Sequence, residues 1–129
     1  MTVIRTITID CADAAVVGRF WEVLLGWPLE VGPDVDAVEG YLMAFLQNPA
    51  GGPNVLFQQV PEPKRVKNRV HLDLGPTDRT RDEEVARLQA AGATIVGDHR
   101  KPDGTGWVVM ADPEGNEFCV ERSDAERGS

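Results

Sequence analysis

The sequence repeats one pattern of helix and turn residues at an interval of about half its length. Three pairs of landmarks are 65, 66 and 64 residues apart: the helix-capping candidates Asp13 and Asp78, the helix-ending Gly26 and Gly92, and the turn-initiating Asn48 and Asp112. Nearly equal offsets in the same order indicate two copies of one module. A module of about 60 residues forms a small sheet with one uncovered face, which the second copy can cover.

Local patterns in the first half predict a strand, a helix and three more strands. Polar and apolar residues alternate over 3–9, which is typical of a half-buried strand. Asp13 can cap a helix over 14–25, where large apolar residues recur at helical spacing, and Gly26 ends it. Further strands are predicted at 29–31, 40–47 and 54–60.

The second half follows the same order of elements. Residues 69–74 alternate like the first strand, and Asp78 is predicted to cap a helix over 81–91. Glu83 and Arg87 have the spacing of an i,i+4 ion pair on that helix. Three more strands are predicted at 94–96, 107–111 and 116–122.

The charge and composition exclude several classes of protein. With 13 Lys and Arg against 21 Asp and Glu, the net charge of −8 argues against nucleic acid and anionic membranes as partners. No apolar run reaches the ~20 residues of a membrane span, and the first residues lack the features of a signal peptide. Two cysteines are too few for a disulfide framework. We expect a cytoplasmic protein with reduced thiols.

Common catalytic motifs are missing from the sequence. The only serines, Ser123 and Ser129, lie in the polar tail, which excludes a serine hydrolase. Residues 104–106 read Gly-Thr-Gly but lack the third glycine and the strand–helix context of a dinucleotide site.

Several motifs give the chain a resemblance to a known superfamily. They are Asp-Cys-Ala-Asp at 10–13, Leu-Gly-Trp at 25–27, Lys-Asn-Arg-Val-His-Leu-Asp at 67–73 and Asp-Pro-Glu-Gly-Asn-Glu-Phe-Cys-Val at 112–120. Together with the repeat, these resemble the small glyoxalase-like domain proteins of the glyoxalase/bleomycin-resistance/extradiol-dioxygenase (vicinal oxygen chelate) superfamily. The resemblance implies an α+β fold in which two tandem βαβββ modules form a curved, cup-shaped mixed sheet with the helices on the outside.

The resemblance also implies how the chain is divided. Residues 1–129 form one glyoxalase-like domain, with module one at 3–60 and module two at 68–122. Between the modules lies a linker at 61–67, which holds two prolines, and a frayed tail follows at 123–129.

Metal-dependent members of the superfamily place their ligands on strands that face the cup. The matching positions here are Thr6, His71 and Cys119, together with either Phe57 or Gln58, because an insertion at 52–53 blurs the register. Only His71 is a good metal ligand, so we expect no metal cofactor. The alternative is a divalent metal held by His71, Gln58 and Cys119.

Individual aromatic and basic residues allow more than one interpretation. His71 is either a ligand contact and general base or a histidine satisfied by its neighbours, whereas His99 is expected to be a solvated loop residue. Aromatic side chains such as Trp107 can line a pocket for planar ligands. The basic stretch 64–69 is either a solvated linker or a contact for an anion or a subunit.

The sequence therefore predicts a metal-free protein that binds a small molecule, an antibiotic or a metabolite, in the manner of bleomycin-resistance proteins and as a homodimer. No catalytic residue is assigned. The alternatives are a divalent-metal-dependent lyase, isomerase or dioxygenase, and an interaction module with a packed cup. The predicted ligand contacts are Thr8, Asp10, Phe57, Gln58, His71, Asp73, Trp107 and Cys119.

Overall fold

The structure is a computed structural model that describes residues 1–34 and 40–128. It divides into two compact units, Met1–Arg65 and Val66–Ser129. Each unit contains a four-stranded mixed sheet and a helix between its first and second strands, in the order βαβββ. The α+β class and the two modules predicted from the repeat are confirmed. The module and linker boundaries stay predictions.

The first helix, α1 (Ala14–Leu25), has both predicted ends. The Asp13 carboxylate accepts a hydrogen bond from the backbone N–H of Val16 at 3.1 Å, which satisfies one of the free donors at the helix start. At the other end Gly26 adopts the left-handed conformation with φ 69°, and its N–H donates to the carbonyl of Glu22.

The first sheet has the order β1 (Thr6–Cys11), β4 (Asn54–Gln59), β3 (Leu42–Leu46), β2 (Leu29–Pro33). Strand β1 runs parallel to β4, and the other pairs are antiparallel. The strand predicted at 3–9 begins later because its partner β4 starts at Asn54, directly opposite Thr6. In the described residues Val3 and Ile4 therefore have no strand beside them, and they are 69% and 70% exposed.

Helix α1 packs on one face of this sheet. Its Trp21 contacts the ring of Phe57 on β4, with centroids 5.7 Å apart, and Ala44 and Leu46 of β3 are fully buried on the same face. Burying such side chains contributes about 1.5–3 kcal/mol each. We call the other face of each sheet, which carries no helix, its open face.

The second helix, α2 (Arg81–Ala90), begins at the predicted residue but is capped by a different one. Thr80 caps it in a capping box: the Thr80 hydroxyl accepts from the N–H of Glu83, whose carboxylate accepts from the N–H of Thr80 at 2.9 Å. Asp78 instead forms an ion pair with Arg79. The predicted pair of Glu83 and Arg87 is also wrong, because Arg87 binds Glu84 one position closer, at 2.6 Å.

The second sheet has the order β5 (Asp73–Leu74), β8 (Glu117–Val120), β7 (Val108–Ala111), β6 (Thr94–Asp98). The strand predicted at 69–74 shrinks to two residues, because β8 offers β5 only Cys119 and Val120 as partners. His71 therefore lies in the loop before β5 rather than in a strand. Phe118 and Met110 are fully buried on the face opposite Cys119, so Cys119 lies on the open face.

The tail expected to be frayed forms a short third helix, α3 (Asp124–Gly128). One carboxylate oxygen of its Glu126 accepts hydrogen bonds from the N–H groups of Ser123 at 2.7 Å and Arg81 at 2.8 Å. This long-range contact orders a segment whose sequence carries no apolar pattern. Among the described residues, no helix has the length and apolar character needed to cross a membrane.

Candidate functional site

His71, Asp73 and Cys119 form a cluster at one edge of the second sheet. Asp73 lies directly opposite Cys119 in the register of β5 and β8, so their side chains share the open face. The Nδ1 atom of His71 lies 3.8 Å from the Cys119 sulfur and 3.6 Å from Oδ1 of Asp73. The imidazole and the carboxylate are 46% and 56% exposed, whereas Cys119 is buried. The structure thus brings together three of the predicted ligand contacts.

The thiol of Cys119 is held in its neutral form. Burial, followed by the charge of Asp73 and a hydrogen bond to it, raises the pKa of Cys119 to about 11. At neutral pH the group is therefore a thiol, which is a weak hydrogen-bond donor and a poor nucleophile.

Glu117 adds a carboxylate to the same open face, two residues before Cys119. Its two oxygens are bound by Nζ of Lys67 at 2.8 Å and by the N–H of Asn68 at 3.1 Å. Two residues of the basic stretch 64–69, Lys67 and Asn68, therefore bind Glu117 within the same unit. Sequence reasoning missed it, although the period-2 spacing from Cys119 places Glu117 on the same face.

The open face of the first sheet carries Thr8, Asp10 and Gln58. Asp10 lies opposite Gln58 in the register of β1 and β4, and the Gln58 amide donates to Oδ2 of Asp34 at 2.7 Å. Phe57, the other candidate, lies on the other face of β4, fully buried beneath Trp21, and its role as a ligand contact stays a prediction. The strand period decides between the two candidates in favour of Gln58.

His99 and Trp107 form a stacked aromatic pair at the far edge of the second sheet. Their ring centroids are 4.9 Å apart with an angle of 26° between the planes, and the Trp107 side chain remains 43% exposed. The N–H of His99 donates to the carbonyl of Trp107, continuing the pairing of β6 and β7 by one residue. The interpretation of His99 as a solvated loop residue misses this contact.

The cluster has the donors and the spacing of a zinc site. Zinc bonds of 2.0–2.3 Å in a tetrahedral arrangement place neighbouring ligand atoms about 3.3–3.6 Å apart. The ligand atoms of His71, Asp73 and Cys119 all lie within 4.8 Å of one another, and His71 Nδ1 lies 3.6 Å from Asp73 and 3.8 Å from Cys119. One carboxylate is too few for manganese or magnesium, which prefer oxygen ligands. Asp73 is the third member of this cluster, whereas the predicted metal ligand Gln58 lies in the first sheet and its role stays a prediction.

Comparisons with known proteins agree with this fold. The profile of the glyoxalase-like domain family matches residues 6–121. No curated protein matches the sequence. Similar solved structures include the fosfomycin resistance protein FosX from Listeria monocytogenes, as a mutant complexed with Mn(II) and 1S,2S-dihydroxypropylphosphonic acid. Its TM-score is 0.72 at 13% identity, with 94% of this chain and 92% of that one covered.

Two further structures have the same fold. FosX from Mesorhizobium loti gives a TM-score of 0.69 at 16% identity, with 94% of this chain and 91% of that chain covered. A glyoxalase/bleomycin resistance protein/dioxygenase family enzyme from Burkholderia phytofirmans PsJN gives a TM-score of 0.64 at 16% identity, with 95% of this chain and 98% of that chain covered. Identities this low show the fold alone. The match over residues 6–121 shows the family: the chain belongs to the glyoxalase-like domain family of the vicinal oxygen chelate superfamily.

Proposed function

We propose that the protein binds a small-molecule ligand, an antibiotic or a metabolite, without a resident metal. The observation that carries the proposal is the cluster of His71, Asp73 and Cys119, in which an exposed imidazole and an exposed carboxylate flank a neutral thiol. Together these groups offer hydrogen-bond donors and acceptors of different strengths within a few ångströms.

The first sheet offers a second set of polar contacts. Thr8 and Asp10 are exposed and Gln58 is half-buried on that open face. Their hydroxyl, carboxylate and amide groups suit a ligand that carries several polar atoms. The net charge of −8 favours a cationic ligand by long-range attraction.

A thermal-shift screen of a natural-product library tests this proposal. A ligand present at 100 times its Kd stabilises the folded protein by about 2.7 kcal/mol, which raises the Tm measurably. We expect hits among cationic compounds whose shifts shrink in the variant His71→Ala and are unchanged in Val96→Ala, a substitution of an exposed side chain on β6. A library without a single hit, or hits indifferent to His71→Ala, would contradict the proposal.

The distances within the cluster favour a second candidate, a divalent-metal-dependent lyase, isomerase or dioxygenase. His71, Asp73 and Cys119 would hold the metal, which acts as a Lewis acid on a substrate oxygen when bound. Elemental analysis of protein purified without chelator distinguishes the two candidates. About one zinc per chain, lost in Cys119→Ser, supports the enzyme, and less than about 0.2 per chain contradicts it.

We also propose that the protein acts as a homodimer in the cytoplasm. Val3, Ile4, Val66 and Val70 are between 69% and 74% exposed, and a second copy of the chain is one way to cover such side chains. Light scattering after gel filtration checks the mass: a dimer is expected, and a 14.1 kDa monomer at all concentrations would contradict it.

A further inference from the structure

The stacked pair of His99 and Trp107 presents a flat aromatic surface. The imidazole covers part of the indole, yet the Trp107 side chain is still 43% exposed, and His99 itself is exposed. Because His99 is exposed, a ligand can reach the nitrogens of its ring. A planar group can therefore stack on this surface and still find a ring nitrogen at its edge.

Three residues hold this pair in place. A Cβ atom at Gly106 would overlap the carbonyl of His99, so the backbone of His99 can lie there only because residue 106 is glycine. A Cβ atom at Gly97 would lie 3.2 Å from Nε2 of His99, which shows that the imidazole leans over Gly97. The buried guanidinium of Arg81 donates to the carbonyls of residues 104–106, immediately before Trp107.

The aromatic pair lies on the same open face as the cluster. Gly97, beneath the imidazole, is paired with Val109, and Val109 is paired with Cys119, which lies opposite Asp73. Two strand spacings separate Gly97 from Cys119 and a third separates Cys119 from Asp73. Measured across the sheet, Gly97 therefore lies about 10 Å from Cys119 and about 14 Å from Asp73. Half-buried Val109 forms an apolar floor between them.

We propose that the ligand of this face is an aromatic amine: a planar ring stacked on His99 and Trp107, an aliphatic spacer over Val109, and a protonated amine at Asp73. The inference rests on the proposed function and names its ligand class. The carboxylate of Asp73 is 56% exposed and can accept hydrogen bonds from an ammonium group. The indole face attracts a ring that carries positive charge, which favours a cationic heteroaromatic group.

Quinacrine is a suitable probe because it joins a planar acridine to a flexible aliphatic amine. Its two halves serve as matched controls: 9-aminoacridine is the ring alone, and 4-amino-1-(diethylamino)pentane is the chain alone. Binding of each to the full chain is measured by isothermal titration calorimetry. The variants are Trp107→Leu, Trp107→Phe and Asp73→Asn, with Val96→Ala as a control and thermal melts to show that each is folded.

We expect quinacrine to bind more tightly than either half. Trp107→Leu should weaken quinacrine and 9-aminoacridine by about 3- to 10-fold, whereas Trp107→Phe retains most of the affinity because it keeps a flat ring. Asp73→Asn should weaken quinacrine by about 2- to 5-fold and leave 9-aminoacridine unchanged.

Two results overturn the inference. One is equal affinity of Trp107→Leu and the native chain for quinacrine, and the other is no binding of quinacrine to the native chain. Neither result affects the proposed function, which is tested separately by the library screen and by His71→Ala. If that screen also yields no ligand, the proposed function fails together with the inference.

Discussion

Replacing Asp73 by Asn removes a charge that opposes ionisation of the neighbouring thiol. Burial is the largest cause that raises the pKa of Cys119 from 9.0 to about 11, and the charge and hydrogen bond of Asp73 come next. Asp73→Asn leaves the thiol buried, so the pKa of Cys119 should fall to a value between these limits. Since the thiolate fraction at pH 8 changes about tenfold per pKa unit, it should rise by a factor of up to about 100.

The pH profile of alkylation by iodoacetamide measures this change. In the native chain the Cys119 rate should rise about tenfold per pH unit from pH 7 to 10 without a plateau, and in Asp73→Asn it should level off earlier. Peptide mapping separates Cys119 from the other buried cysteine, Cys11. Lys67→Met removes a charge that lowers this pKa, so it should shift the profile the opposite way. A native plateau near pH 9, or identical profiles for Asp73→Asn and the native chain, would refute the reasoning.

Three further tests, each by substitution, concern the packing within the two units. Gly106→Ala should lower the free energy of unfolding by at least about 1 kcal/mol more than Gly104→Ala. Both glycines have positive φ, but only a Cβ atom at residue 106 would overlap the backbone of His99. Urea titration measures the difference. By the same assay, Phe57→Ala should lower the free energy of unfolding by about 3–5 kcal/mol, because Phe57 is fully buried. Gln58→Ala should lower it by only about 1 kcal/mol. Arg81→Met should lower the free energy of unfolding by about 1–3 kcal/mol, because the carbonyls of residues 104–106 lose their donor. It should also speed hydrogen exchange in 101–107, and unchanged exchange would contradict a role of Arg81 in holding this loop.

Local sequence patterns predict the first helix fully and the second only in part. Asp13 has no competing cap near it, so the start of α1 could be predicted from one residue. Before α2 both Asp78 and Thr80 are good caps, and Thr80 is selected because Glu83 completes a capping box with it. The repeat thus predicts the order of the elements, while contacts between neighbouring side chains select the residue that caps each helix.

The same distinction applies to the candidate site. His71 and Cys119 could be predicted from the motifs that carry the family resemblance, and Asp73 from its period-2 spacing to His71. The contacts of Glu117 with Lys67 and of His99 with Trp107 could not, because each depends on a register between segments distant in sequence. The choice between Phe57 and Gln58 likewise depended on one residue of register, which reverses the face of the strand.

Arg81 connects helix α3 to the aromatic surface of His99 and Trp107. Glu126 binds the first N–H of α2, that of Arg81, and the Arg81 side chain holds residues 104–106. A segment without a buried side chain thus supports a surface far from it in sequence. A chain shortened before Glu126 should therefore be avoided in any ligand screen.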